Sequence, residues 1–303
     1  MSEKRNFRFP RPRPYDPNES LALLSLGPHD PTFRRIDQRG WWTLRWIEGT
    51  LCRLVLACGQ DSLVLQVEGP AAGRVGEEHA RALFGLDDRP GWQLDPGDPL
   101  SPLLRAKPGL RLVRAFWLYE GGCQVVLAQR VSWREAVGNW SLLCRRYGER
   151  WEGLFSAPSP ERLFRLGMAE LASCGIEAKR ALALKEIARR LAFHPEPDWK
   201  TEEIEQRLSG CPRIGPWTRS LIRGQVLGER DVVPLGDYGL PGLVCSVLAG
   251  ERPGSDARML ELLEPYQGER FRAIRYLWSE AAPNLRRGPR LPLGQGIGRL
   301  NLP

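Results

Sequence analysis

The chain has 303 residues, 42% hydrophobic and 26% charged, with a formal net charge of +8 and a pI near 9.4. Single cores stop growing at about 250–300 residues, so two domains are expected. No apolar run approaches the roughly 20 residues that span a bilayer, and no apolar stretch follows the basic start MSEKRNFRFPRPRPY as a secretory signal requires.

The first segment reads as strand-rich. WWTLRWIE (41–48), LCRLVLAC (51–58) and SLVLQVE (62–68) are β-branched or aromatic runs separated by Glu48-Gly49 and Gly59-Gln60-Asp61, breaks that suit tight hairpins. A short helix through SLALLSL precedes them, capped near Asp16 or Asn18, and another follows from about Gly76 to Leu86. Strands with helices to one side describe a small α+β domain over residues 1–105. Residues 87–110 are rich in proline and glycine and read as a domain boundary.

From residue 112 the apolar period becomes helical. Trp133, Val137, Trp140 and Cys144 recur at helical steps, as do Leu184, Ile187 and Leu191. Helix starts are marked at Ser159-Pro160-Glu161 and Thr201-Glu202-Glu203. The expectation for 112–283 is an all-α domain without strands, followed by a flexible tail over 284–303.

The seven cysteines, 52, 58, 123, 144, 174, 211 and 245, are scattered singly, which predicts reduced thiols in an intracellular protein. No four-cysteine cluster follows Asp237, so an iron–sulfur cluster is not expected. His29, His79 and His194 share no ligand spacing, so neither is a catalytic zinc; no cofactor is predicted. The arginine-rich positive charge favours a polyanionic partner through counterion release at phosphates.

Residues 211–238 are the most informative: CPRIGPWTRS, LIRGQVLGER, DVVPLGDY. A glycine-containing turn ends one helix, and Pro216 suits the first position of the next. Backbone N–H groups in such a turn make an anion site, alternatively an ordinary connection between two helices. Asp237 then lies in a Pro-x-x-Asp-Tyr-Gly loop; an aspartate before an amphipathic segment is also a common helix N-cap.

This combination resembles the helix-hairpin-helix (HhH-GPD) superfamily of DNA glycosylases. The resemblance extends to Tyr119-Glu120 leading into Gln129-Arg130-Val131-Ser132, to Cys174-Gly-Ile-Glu-Ala-Lys179-Arg180, and to Pro265–Arg272 leading into Trp278. Tyr15-Asp16 and the first strands resemble the TATA-binding-protein-like antiparallel sheet of the 3-methyladenine DNA glycosylase II group.

The resemblance implies that Asp237 is catalytic and stabilises positive charge on the sugar as an N-glycosidic bond breaks. It implies a base pocket of Trp217, Tyr238 and Trp278, where aromatic faces stack on an extruded base. It implies DNA contacts by Gln129, Arg130, Arg213, Gly215 and Thr218, and a monovalent ion on the carbonyls of Ser209, Cys211 and Ile214. Three positions depart from the family pattern: Arg213 replaces the first hairpin glycine, Arg130 replaces an apolar wedge, and Trp217 replaces the lysine that bifunctional relatives use as a Schiff-base nucleophile. The last implies a monofunctional enzyme.

The function so implied is excision of an alkylated base from double-stranded DNA in base excision repair, by a monomer without a membrane partner. 8-Oxoguanine, hypoxanthine and uracil or thymine mismatches remain as alternative substrates. A non-catalytic damaged-DNA-binding protein is the alternative from another class.

Overall fold

The computed structural model describes residues 3–37, 40–88, 92–191 and 201–281; His194 and the 284–303 tail lie outside them. The sheet region follows from period-two alternation. Strands β1 (Glu3–Pro10), β2 (Phe33–Arg35), β3 (Gly40–Ile47), β4 (Thr50–Cys58) and β5 (Ser62–Gly69) form one antiparallel sheet in the order β1-β5-β4-β3-β2. Register pairs Leu54 with Val67, Leu56 with Leu65 and Cys58 with Leu63, and all six are fully buried. Glu48 and Gly49, with φ of 47° and 74°, make the two-residue turn between β3 and β4, the right-handed twist of the strands favouring two positive-φ residues there.

Strand β1 is not among the expected elements. Of EKRNFRFP only Phe9 is buried, because this is an edge strand whose charged side chains face water. Helix α1 (Pro17–Ser20) is capped by Asp16, whose carboxylate accepts from the N–H groups of Asn18 and Glu19, and α2 (Glu77–Leu83) starts after Gly76.

The proline-rich stretch around 87–110 is more than a linker. It carries α3 (Ser101–Ala106), and Leu100 and Leu110 are fully buried in a cluster with Leu240, Val244, Met259 and Ile274. Asp88 receives Arg272 Nη1 at 2.9 Å and the Leu112 N–H at 2.8 Å, joining this stretch to the last helix.

The helical region comprises α4 (Leu118–Leu127), α5 (Trp133–Tyr147), α6 (Pro160–Arg165), α7 (Met168–Ser173), α8 (Ala178–Leu191), α9 (Thr201–Leu208), α10 (Pro216–Leu221), α11 (Leu240–Ala249), α12 (Asp256–Leu263) and α13 (Arg270–Ala281). Ser132, Ser159 and Ser255 cap α5, α6 and α12 by accepting from the residue three positions on. Strands are present here after all: β6 (Arg150–Trp151) and β7 (Leu154–Phe155) form a small hairpin, too short for a period-two pattern to register.

Helix α4 is the axis of this region, and every one of its residues is buried. Its close approach to α8 needs Gly122, where a Cβ would stand 3.1 Å from Ile187 and Leu191. A π-helical turn, Ile222–Val226, continues α10; within it a Cβ on Gly224 would collide with the Phe271 ring. That contact brings α13 against the segment leaving the hairpin.

One core cluster runs from Phe9 in the sheet to Leu227 in the helices, so the two regions share packing. Polar ties cross the same junction: Glu120 Oε1 accepts the Trp46 N–H at 2.7 Å, and Trp140 Nε1 donates to Asp30 at 3.0 Å. Burial pushes the Glu120 carboxyl up to about 7, with the nearby Arg45 guanidinium opposing. All seven cysteines are buried and free. Among the described residues no helix is long and apolar enough to cross a membrane.

Candidate functional site

Helices α9 and α10 form a hairpin around Ser209–Gly215. The turn reverses through Gly210 at φ 71° and Arg213 at φ 69°. Arginine therefore adopts the left-handed conformation that glycine usually supplies, with its side chain exposed. Among the described residues no side chain caps the start of α10, and the space beside Gly215 is open: a Cβ there would meet none of them within 4 Å. The first-turn N–H groups of a helix have no intrahelical acceptor.

Gln129 follows α4 and does more than end that helix. Its Nε2 donates to the Arg213 carbonyl at 3.0 Å and to Thr218 Oγ1 at 2.8 Å, stapling the α4–α5 turn to the hairpin. Thr218 is buried, and its hydroxyl is taken by Gln129. Its side chain thus ties the hairpin to the α4–α5 turn. Arg130, at φ 56°, projects from the tip of the α4–α5 turn and is exposed.

Two of the turn carbonyls expected to hold a monovalent cation already have hydrogen-bond partners. The Ile214 carbonyl accepts Arg219 Nη1 at 3.1 Å, and the Cys211 carbonyl accepts the Ile214 N–H at 3.2 Å. Arg219 also pairs with Glu205 of α9 at 2.6 Å. A cation at those oxygens would adjoin a guanidinium already bonded to one of them, so like charges would repel. Among the described residues no group of His, Cys, Asp and Glu is arranged to hold a metal.

Asp237 lies in the loop before α11, and both of its oxygens are used. Oδ1 accepts the N–H groups of Gly239 at 2.9 Å and Leu240 at 2.8 Å, so it does cap the helix start. Oδ2 accepts Trp217 Nε1 at 2.9 Å. The two readings of this residue are therefore compatible: the cap fixes the side chain's rotamer, and the fixed rotamer aims the second oxygen at the hairpin. Gly236, at φ 81°, donates to Asp256 Oδ2 at 2.8 Å, which secures the other end of the loop.

The aromatic residues separate. Trp217 is half-buried against the main core and bonded to Asp237. Tyr238 is 78% exposed, projecting outward next to the carboxylate. Trp278 meets Phe271 edge-on at 5.7 Å and packs against all three core clusters, so packing claims much of its surface. Of the residues expected in a pocket, the structure joins Trp217 to Asp237 directly; Trp278 has its described contacts in the core.

Sequence reasoning misses Arg219 and assigns Arg180 no contact. Arg180, almost fully buried, donates to the Leu127 and Gly175 carbonyls and to Glu135 at 3.0 Å. Its place two residues into α8, on an apolar face, is the signal that could have found it.

The family model for the HhH-GPD superfamily base excision DNA repair protein matches residues 123–267, from α4 to the turn before α13. Residues 123–267 are thus similar to the HhH-GPD superfamily. It is 29% identical to the DNA-3-methyladenine glycosylase 2 of Escherichia coli over 59% of its own length and 63% of that protein's. It is 26% identical to a DNA-3-methyladenine glycosylase of Bacillus subtilis, over 64% and 68% of the two lengths. The fold resembles that of the 3-methyladenine DNA-glycosylase from Archaeoglobus fulgidus, with a TM-score of 0.73 and 19% identity, covering 91% of this chain and 98% of that one. The HhH-GPD match thus spans the Gln129 staple, the hairpin and the Asp237 loop.

Proposed function

We propose that this protein is a monofunctional DNA glycosylase that releases alkylated bases by hydrolysing the N-glycosidic bond. The observation that carries the reading is the Trp217–Asp237 hydrogen bond, which sets an oriented carboxylate beside an indole at the mouth of the hairpin. The relatives' names support the alkylbase class.

In this reading the bond from C1′ to the base breaks with its electron pair leaving on the base, and positive charge develops on the sugar. Asp237 stabilises that charge and orients the water whose oxygen bonds C1′; the water's proton passes to the carboxylate or to solvent. A cationic alkylated base is already a good leaving group, so no dedicated general acid is needed, and an aromatic face adds about 0.5–2 kcal/mol of cation–π attraction. Tyr238 and Trp217 supply such faces. Trp217 carries no amine, so no Schiff base forms and the strand stays intact. Arg213, the Gly215 N–H and Arg130 contact double-stranded DNA, Arg130 filling the gap the extruded base leaves.

The deciding experiment incubates the protein with duplexes carrying single defined lesions and identifies the free base by chromatography. Release of an alkylated purine, with no strand cleavage before alkali and no borohydride-trapped adduct, is expected. A trapped adduct, or release of 8-oxoguanine or uracil in preference, refutes the assignment.

A further inference from the structure

The turn between α4 and α5 holds an aromatic ring that the proposed chemistry does not use. Trp133, the first residue of α5, is 58% exposed, whereas Trp140, Leu143 and Cys144 on the same helix are fully buried. The sequence period places Trp133 on the core face with them; it falls instead at the helix start, where the chain has just left α4 and, among the described residues, no element covers it. Single exposed apolar residues are ordinary. This one is flanked by Arg130 and Arg134, both exposed, and neither guanidinium has a hydrogen-bond or ion-pair partner among the described residues. Several arginines elsewhere in the helices are paired: Arg180 with Glu135, Arg219 with Glu205, Arg223 with Glu229, Arg270 with Asp231.

The turn is also clamped. Arg180 Nη1 holds the Leu127 carbonyl of α4 at 3.2 Å while its Nη2 holds Glu135 of α5 at 3.0 Å. Ser132 Oγ accepts the Glu135 N–H at 3.2 Å, and Gln129 fastens the tip to the hairpin. An indole between two unpaired cations is thus presented in a fixed place beside the hairpin turn.

We propose that Trp133 is a DNA-contacting aromatic, its ring lying on the sugar and base faces of a strand next to the hairpin while Arg134 pairs with a flanking phosphate and Arg130 fills the gap beside it. The inference rests on the glycosylase reading, and charge complementarity selects the occupant. A phosphate strand matches both guanidiniums, whereas a second copy meeting the same patch across a two-fold axis would oppose cations with cations. Ring stacking tolerates any base, so the contact adds affinity without sequence preference.

The test measures Kd of the full chain for a duplex bearing a tetrahydrofuran abasic-site analogue, across a salt series, by fluorescence anisotropy. Trp133→Ala is expected to weaken binding about tenfold at every salt concentration, the lower part of the range for losing one stacking ring. The slope of log Kd against log salt should not change, because no charge is removed. Arg134→Gln should make the slope shallower by about 0.9 for the one phosphate lost. Trp133→Phe should stay within about threefold of the parent, and all three should melt with it, since these side chains are exposed. Parental affinity in Trp133→Ala overturns this inference alone; a parent that binds no duplex overturns the glycosylase reading and this inference with it. Loss of self-association by sedimentation in Trp133→Ala, with DNA affinity kept, assigns the ring to a protein contact and overturns the proposal.

Discussion

Asparagine at position 237 is the usual way to neutralise a carboxylate without changing its shape, but here it is not a neutral exchange. Oδ1 of Asp237 accepts two backbone N–H groups at 2.9 and 2.8 Å, and Oδ2 accepts the Trp217 indole N–H at 2.9 Å. Asparagine has one acceptor oxygen, so its amide nitrogen must face a donor. Facing Trp217 forfeits one bond and facing the α11 cap forfeits two, so the cap is kept and the indole N–H is opposed by N–H. Losing a hydrogen bond to a charged group costs about 1.5–3 kcal/mol, and partial solvent access brings this to about 1–2 kcal/mol. At about 2–4 °C per kcal/mol for chains of this size class, Tm should fall by about 2–8 °C.

Trp217→Phe removes the donor and keeps a ring. It should lower stability by a similar amount, because Oδ2 loses its partner. In the double variant the N–H to N–H opposition is gone, so the two losses should add to less than their sum, with a coupling of about 1 kcal/mol. Urea unfolding of the four proteins measures that coupling, and base release under single-turnover conditions measures the chemistry. Release should be abolished in both Asn variants and reduced about tenfold in Trp217→Phe, as about 1.4 kcal/mol of lost orientation implies. Additive stabilities would show that the indole–carboxylate bond is not formed in solution. Parental base release in Asp237→Asn would remove this residue from catalysis.

Gln129→Ala should release the hairpin from the α4–α5 turn, weakening duplex affinity about tenfold with a smaller change in Tm; unchanged affinity by anisotropy would show that the staple is not needed for binding. The internal Arg219 guanidinium makes a turn cation unnecessary, so affinity in K⁺, Na⁺ and tetramethylammonium at equal ionic strength should agree within about twofold; a requirement for K⁺ would contradict this arrangement. Stability should fall as pH rises from about 4.5 through about 7, because the folded state holds the Glu120 proton more tightly than the unfolded one. Raising that carboxyl from 4.5 to about 7 corresponds to about 3 kcal/mol, fully present below the lower value and lost above the upper. Glu120→Gln should flatten the Tm profile between pH 5 and 8; a variant profile parallel to the parent's would place the dependence elsewhere.

Much of the local structure is legible in the residues. The alternating runs at 41–68 form β3, β4 and β5, and Ser159-Pro160-Glu161 forms the start of α6, because pattern and capping act within a few positions of the chain. Other elements depend on partners that no local pattern names. Strand β1 is polar and exists because β5 offers it an edge, and β6 and β7 are too short to carry a period. Trp133 obeys the helical spacing of its buried neighbours yet faces water, since period predicts a face and not what lies opposite it.

For the candidate site, the residues alone determined the family resemblance, the hairpin and a lone acidic side chain after it, and the absence of an amine at position 217. These are properties of types and spacings, which local sterics and hydrogen bonding translate directly into turns and helix starts. Only the tertiary structure decided that Asp237 caps α11 with one oxygen and receives Trp217 with the other, that Gln129 staples the hairpin, that Thr218 is buried, and that Arg219 occupies a turn carbonyl. Each joins elements distant in sequence. Such partnerships depend on which surfaces the shared core brings together, a choice made by the packing of the whole chain.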